Sequence, residues 1–116
     1  MENVRDEIID LNVGGKRMTT TVLTLCQIQG SFLANFVSSL ETPRDKDGLI
    51  FLDFNPKHFA HILDYLRAKK VSPPDNPAPL PIVGSSEIES FKHLVQRLGL
   101  FNEFFPTIKE TFSERS

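Results

Sequence analysis

Apolar and polar residues alternate near the start of the chain. Ile9, Leu11 and Val13 alternate with Asp10 and Asn12, so the aliphatic side chains share one face of an extended strand. Two glycines follow, and a run of three threonines comes shortly after them. Because glycine tolerates the positive φ of a tight turn, this pattern predicts a β-hairpin. The two glycines are Gly14 and Gly15, and the threonines are Thr19, Thr20 and Thr21.

Three later stretches carry apolar residues at the spacing of an amphipathic helix. The first follows Ser31, which can cap a helix, and the second follows Asn55 and Pro56, which suit an N-cap and a first helical position. The third opens with Ser86 and Glu89 at the spacing of a capping box. The apolar positions are Phe32, Leu33, Phe36, Val37 and Leu40; Phe59, Ile62, Leu63 and Leu66; and Ile88, Phe91, Leu94, Val95 and Leu98.

The segments between these helices differ in character. The apolar run of residues 49–52 predicts a third strand, covered on both of its faces. Five prolines in residues 71–84 exclude a regular helix and predict an extended path over the surface. Beyond Gly99, phenylalanines keep helical spacing until Pro106, which restarts or kinks the helix. We therefore expect one α+β domain over residues 7–105, with 106–116 as a C-terminal helical extension or frayed tail.

Length and charge narrow the classes of function. A chain of 116 residues has room for one compact domain. Its formal net charge of -2 provides no basic field for nucleic acid. Arg67, Lys69 and Lys70 do cluster, but we interpret them as the solvated C-terminal end of a helix. We expect no nucleic-acid partner.

A single cysteine, Cys26, excludes an intrachain disulfide, and no stretch approaches the ~20 apolar residues of a membrane span. We expect a cytoplasmic chain that makes no membrane contact. His58, His61 and His93 are interpreted as helix-surface residues, because no carboxylate or thiolate spacing completes a metal site.

Chemistry that would indicate an enzyme is not recognisable. Gly14, Gly15 and Lys16 lack both the spacing of a phosphate-binding loop and a helix directly after them. Cys26 has no neighbouring signature of a catalytic base, and Asp53 and Asp64 do not form a credible acid and base pair. We expect no catalytic residue, no metal and no cofactor.

Two separated motifs together resemble the BTB/POZ family, in the branch of the potassium-channel tetramerisation domain. Residues 11–15, Leu-Asn-Val-Gly-Gly, with Thr19 to Thr21 and Leu23, are similar to the opening motif of that family. Residues 48–53, Gly-Leu-Ile-Phe-Leu-Asp, are similar to the start of its second hallmark. That hallmark continues in Pro56, Phe59, Ile62, Leu63, Tyr65, Leu66 and Arg67. Met18 departs from the usual aromatic residue, and Phe54-Asn55 from the usual Arg-Asp.

The resemblance implies a BTB/POZ fold, with a small three-stranded sheet flanked by about five α-helices. It also implies assembly of the chain with itself into a homotetramer or homopentamer. The polar residues that we expect at the subunit interface are Asn12, Arg17, Thr19, Thr21, Asp53 and Arg67. Gly14, Gly15, Pro56 and Phe59 are expected to be structural, serving the turn, the helix start and the core.

Two functions follow from the resemblance. The first is an interaction scaffold or substrate adaptor for a cullin-RING ubiquitin ligase, because the sequence lacks the zinc-binding His and Cys cluster of several channel subfamilies. Phe36 is then the candidate contact for a cullin N-terminal domain, with a purely core role as the alternative. The second function is the cytoplasmic assembly domain of a voltage-gated potassium channel or channel regulator. The sequence does not distinguish the ring sizes.

Overall fold

Three strands and five helices make up the part of the chain that the computed structural model describes, residues 7–39 and 41–105. The strands are β1 (Ile8–Val13), β2 (Lys16–Thr21) and β3 (Ile50–Leu52). The helices are α1 (Val22–Leu25), α2 (Phe32–Ser38), α3 (Pro56–Val71), α4 (Ile88–Arg97) and α5 (Phe101–Phe104). The predicted α+β architecture, a small sheet flanked by helices, is confirmed.

The sheet has the strand order β2-β1-β3, in which β1 pairs antiparallel with β2 and parallel with β3. The expectation that β3 would be covered on both faces is wrong in part. β3 lies at the edge of the sheet, where Ile50 also forms a bridge to Arg44. Ile50 and Leu52 are buried, whereas Phe51 is only half-buried. In this apolar strand, Ile50 and Leu52 therefore point into the core, whereas Phe51 points to the opposite side of the strand and stays partly exposed.

The turn between β1 and β2 consists of Gly14 and Gly15, at φ values of +55° and +97°. Gly14 also lies against the corner that joins β3 to α3, since its amide donates to the carbonyl of Leu52 at 2.8 Å. A Cβ atom at Gly14 would lie 2.4 Å from the carbonyl oxygen of Phe54. Glycine is thus required at position 14 for two reasons, the positive φ of the residue and the close approach of the Phe54 backbone.

Helix starts were predicted correctly in two cases and wrongly in one. The Ser31 side chain accepts from the amide of Ala34 at 3.1 Å, and that of Asn55 accepts from Lys57 at 2.8 Å, with Pro56 at the first helical position. The capping box of Ser86 and Glu89 does not form. Residues 85–87 form a turn in which the Glu87 amide donates to Gly84, and α4 starts only at Ile88, without a side-chain cap.

The core lies between the sheet and helices α3, α4 and α5. Leu11 and Val13 point from β1 into it, and Phe59 from α3 is fully buried. Phe91 and Phe104 stack edge to face with ring centroids 5.8 Å apart, which joins α4 to α5. Of the C-terminal phenylalanines, Phe104 is buried and Phe105 is half-buried against the same core. Leu40 and Pro106 lie outside the described residues, as does the whole segment 106–116.

Candidate functional site

One face of the sheet is polar. In the antiparallel register, Asp10 lies opposite Thr19, Asn12 opposite Arg17, and Ile8 opposite Thr21, so these side chains share one face. Leu11 and Val13 occupy the other face and point into the core. We call Asp10, Asn12, Arg17, Thr19 and Thr21 the polar sheet face. It brings together four of the six residues that the sequence assigned to a subunit interface.

Asp10 is at the centre of this face. Its two carboxylate oxygens accept from the Thr19 hydroxyl at 2.5 Å and from Arg17 Nη2 at 2.9 Å. These hydrogen bonds, the one from Thr19 first, hold the pKa of Asp10 below its ordinary value. The carboxylate raises the pKa of Arg17 in turn. The Arg17 side chain remains 67% exposed, so most of its guanidinium donors face solvent.

Asn12 connects the hairpin to the loop that precedes β3. Its side-chain oxygen accepts from the amide of Gly15, and its Nδ2 donates to Asp45 Oδ2, both at 2.8 Å. The second bond, together with the amide of Leu49, lowers the pKa of Asp45. Asn12 therefore already makes contacts within its own chain that stabilise the fold.

Thr21 and Arg67 also have partners within the chain. The Thr21 hydroxyl caps α1 by accepting from the amide of Thr24 at 3.3 Å. Arg67 crosses from α3 and donates to the backbone carbonyl of Thr19 at 2.6 Å, while its other nitrogen lies 3.6 Å from Asp64. Arg67 thus binds the free edge of β2, beside the polar sheet face.

The sixth predicted interface residue, Asp53, lies elsewhere. It is exposed and lines a groove of about 810 Å³ between the end of β3 and helices α2 and α4. We call this the aromatic groove, after the four phenylalanines in its wall. Its lining residues are Phe32, Phe36, Pro43, Phe51, Leu52, Asp53, Phe54, Asn55, His58, Glu87, Ser90, His93, Leu94 and Arg97.

Phe36 is half-buried and has both of the roles that its sequence spacing left open. It packs against the core cluster and also lines the aromatic groove. Its ring centroid lies 5.4 Å from that of Phe32, which is 40% exposed. The Arg97 guanidinium lies 5.7 Å from the centroid of the Phe32 ring, within the range of a cation-π contact. The groove thus combines exposed aromatic surface with a rim of mixed charge, formed by Arg97, Asp53 and Glu87.

His58 is buried at the inner wall of the groove, with a side chain 4% exposed, so the expectation of a surface histidine is wrong for this residue. Its Nε2 lies 3.4 Å from Glu87 Oε1, and its ring meets that of Phe91 edge to face at 6.1 Å. Burial follows because the first turn of α3 faces α4. Among the described residues, no three His, Cys, Asp or Glu side chains converge into a possible metal site.

At the polar sheet face, Asp10 was not found from the sequence, nor was Asp45, which contacts this face from a loop. Asp10 has the same strand parity as Asn12, so alternation alone could have placed it on the polar sheet face. Asp45 reaches Asn12 from a loop 33 residues away, and no local pattern signals that contact.

Comparison with known proteins gives a family match. The family described as BTB/POZ domain matches residues 9–92, which is more than half of the chain.

Within the described ranges, no helix has the length and apolar character needed to cross a bilayer.

Several curated proteins are similar to this chain over the same region. SH3KBP1-binding protein 1 from Bos taurus is 46% identical over 68 residues, which cover 58% of this chain and 10% of that protein. BTB/POZ domain-containing protein KCTD3 from Homo sapiens is 46% identical over 66 residues, 56% of this chain and 8% of that protein. The human BTB/POZ domain-containing adapter for CUL3-mediated RhoA degradation protein 2 is 38% identical over 71 residues, 61% of this chain and 22% of that protein. The chain thus spans about a tenth of the first two relatives and less than a quarter of the third.

Proposed function

The chain belongs to the BTB/POZ domain family, in its potassium-channel tetramerisation branch, and on that premise we propose that it assembles into a closed ring of four or five copies through the polar sheet face. Such domains serve protein interaction and oligomerisation. The observation that supports a ring most directly is the distribution of hydrogen-bonding groups on the polar sheet face.

The polar sheet face has donors to spare on Arg17, whereas the side chains of Asp10 and Asn12 already have partners within the chain. Asp10 already accepts on both carboxylate oxygens, and Asn12 uses both ends of its amide within the chain. Arg17 carries five donor hydrogens, and its Nη2 donates to Asp10 Oδ2. A partner of this face must therefore supply acceptors.

This imbalance favours a head-to-tail contact over a twofold one. A twofold axis that passes beside Arg17 would bring its guanidinium close to that of its copy, and the two groups would repel each other. A different surface of the neighbouring copy, one that offers acceptors, avoids that repulsion. Head-to-tail contacts that close on themselves form rings.

The test is the native mass of the purified chain, measured by light scattering coupled to size exclusion over a concentration series. We expect a discrete mass four or five times that of the 13.1 kDa chain. The variant Arg17→Glu should shift that mass towards the monomer, because it repels the acceptors that the neighbour supplies. A wild-type chain that stays monomeric at every micromolar concentration would refute the ring.

The matched control is Lys57→Glu, which makes the same change of charge at an exposed residue of α3 outside the polar sheet face. It should leave the mass unchanged. If both variants dissociate the assembly equally, the net charge of the chain controls association and the polar sheet face has no special role.

We further propose that the aromatic groove binds a cullin N-terminal domain, which would make the chain a substrate adaptor. One supporting observation is the relative named as an adapter for CUL3-mediated RhoA degradation. Another is Phe32, whose exposed ring beside Phe36 offers the aromatic anchor typical of protein interfaces.

Calorimetry between the chain and the N-terminal domain of cullin-3 tests this second proposal. Phe32→Ala should weaken binding by at least about tenfold if the ring is an interface anchor. Phe101→Ala, which truncates a half-buried aromatic residue of α5 outside the groove, is the control and should bind like the wild type. Absence of any heat with the wild-type chain would remove the cullin proposal and leave the ring proposal unaffected.

A further inference from the structure

A proline-rich segment connects α3 to α4 without forming a helix or a strand. Residues 77–83, Pro-Ala-Pro-Leu-Pro-Ile-Val, follow a turn at residues 74–75 and end before Gly84. We call residues 77–83 the proline strap. Neither the polar sheet face nor the aromatic groove includes any of its residues.

The strap is fixed to the domain on one side and open on the other. Ala78 and Val83 pack against the core cluster, and Pro81 is half-buried. The outward positions are Pro77, Pro79, Leu80 and Ile82. Leu80 is 43% exposed and Ile82 is 92% exposed. The strap thus presents two exposed aliphatic side chains next to exposed prolines.

The backbone of the strap is also open. Within the described part of the chain, no backbone amide or carbonyl of residues 77–83 makes a hydrogen bond, and three of the seven residues are prolines without an amide hydrogen. The hydrogen bonds from Asn76 to Pro73 and from Glu87 to Gly84 lie on either side of it. A polyproline II helix has this lack of internal hydrogen bonds, and prolines favour that conformation.

We propose that the proline strap is a docking site for a partner domain that reads a polyproline II segment in an aromatic-lined groove, of the WW type. Such grooves bind proline rings and neighbouring aliphatic side chains, and a pre-ordered ligand loses little conformational entropy on binding. The sequence Pro79-Leu80-Pro81 supplies both kinds of side chain.

The charges around the strap favour a groove lined by aromatic rings alone. They do not favour a groove that also has an acidic pocket for a basic residue beside the prolines. Residues 71–86 contain no lysine or arginine, and Asp75 is their one charged residue. A groove that depends on a basic residue beside the prolines would find none here, whereas a groove of aromatic rings needs only the prolines and Leu80.

The experiment titrates the full chain into a fluorescently labelled WW domain that binds Pro-Leu-Pro sequences, and follows the anisotropy of the label. We expect saturable binding by the wild-type chain. The double variant Pro79→Ala and Leu80→Ala should weaken it by at least about tenfold. Both residues are exposed, so the native mass and the thermal unfolding of the variant should match those of the wild type.

The matched control is the double variant Val71→Ala and Pro73→Ala, which removes one exposed aliphatic residue and one exposed proline outside the strap. It should bind the WW domain like the wild type. Absence of binding by the wild-type chain would overturn the proposal, and so would equal loss in both double variants. Because the strap shares no residue with the polar sheet face or the aromatic groove, failure here is distinguishable from failure of the ring or cullin proposals, which are tested by variants at those two surfaces.

Discussion

The two turn glycines provide a matched pair for testing how tightly the hairpin is packed against the rest of the domain. Gly14 and Gly15 both have positive φ, so alanine is strained at either position. They differ in their surroundings. A Cβ at Gly15 meets nothing within 4 Å, whereas one at Gly14 would lie 2.4 Å from the carbonyl oxygen of Phe54 and 3.2 Å from the Pro56 ring.

The expected costs follow from this difference. The left-handed conformation alone costs alanine about 1–2 kcal/mol at either position. At Gly14 the backbone must also shift, which disturbs the hydrogen bond from its amide to Leu52 and removes about 0.5–1.5 kcal/mol more, before any strain in the corner itself. We therefore expect Gly14→Ala to lower the free energy of unfolding by about 1.5–3.5 kcal/mol before that strain is added, and Gly15→Ala by about 1–2 kcal/mol.

Urea unfolding followed by circular dichroism measures both values. All three proteins are compared at one chain concentration, because the proposed assembly would make the apparent stability depend on concentration. A cost for Gly14→Ala no larger than that for Gly15→Ala would refute the reasoning, since it would mean that the turn does not press against the corner between β3 and α3.

Two further predictions concern charged contacts. Because the folded pKa values of Asp10 and Asp45 lie below the ordinary 3.8, the unfolded chain binds more protons near that pH, so stability should fall as the pH drops through the folded values. The free energy of unfolding, measured at a series of acidic pH values, should show this loss, and the Asp10→Asn variant should lose less. If that variant lost as much stability as the wild type over the same pH range, the lowered pKa of Asp10 would be contradicted. Tyr65 donates to Glu103 at 2.6 Å, and its pKa is raised by burial first and by that carboxylate second. Tyr65→Phe should cost about 1.5–3 kcal/mol, towards the lower value because Lys69 still lies 3.2 Å from Glu103. Hydrogen exchange should quicken in α5, and protection equal to that of the wild type would show that the hydroxyl does not hold α5 to α3.

Local patterns predicted the elements whose cause is local. Alternation in β1 separated Leu11 from Asn12 correctly, because strand parity alone decides which face a side chain takes. Ser31 and Asn55 cap their helices because each needs only an amide two or three residues away. The capping box at Ser86 failed because Gly84 accepts the amide of Glu87 and shapes the turn first, a competition that the spacing of Ser86 and Glu89 does not reveal.

The surfaces depended on contacts that no local pattern contains. The aromatic groove is formed by residues from α2, β3 and α4, such as Phe36, Phe51 and Arg97, which only the folded chain brings together. His58 precedes Ile62 by four residues and Tyr65 by seven, so helical spacing places it on the buried face of α3, and the packing of α3 on α4 buries it. Asp53 follows a family motif for an interface, but its neighbours in space are the residues of the groove. Motif membership thus identified the fold without fixing the surface to which each residue belongs.

The polar sheet face and the aromatic groove would hold partners by different physics. At the sheet, Asp10 and Arg17 already form an ion pair, so a partner that covers them loses less hydration free energy than it would by covering two separate charges. The attraction to the partner then comes from the remaining donors of Arg17. Attraction of that kind weakens as salt is added. At the groove, Phe32 would transfer apolar surface out of water, which salt does not screen. Increasing the ionic strength should therefore dissociate a ring before it releases a ligand from the groove, so that one chain can change its assembly without losing its partner.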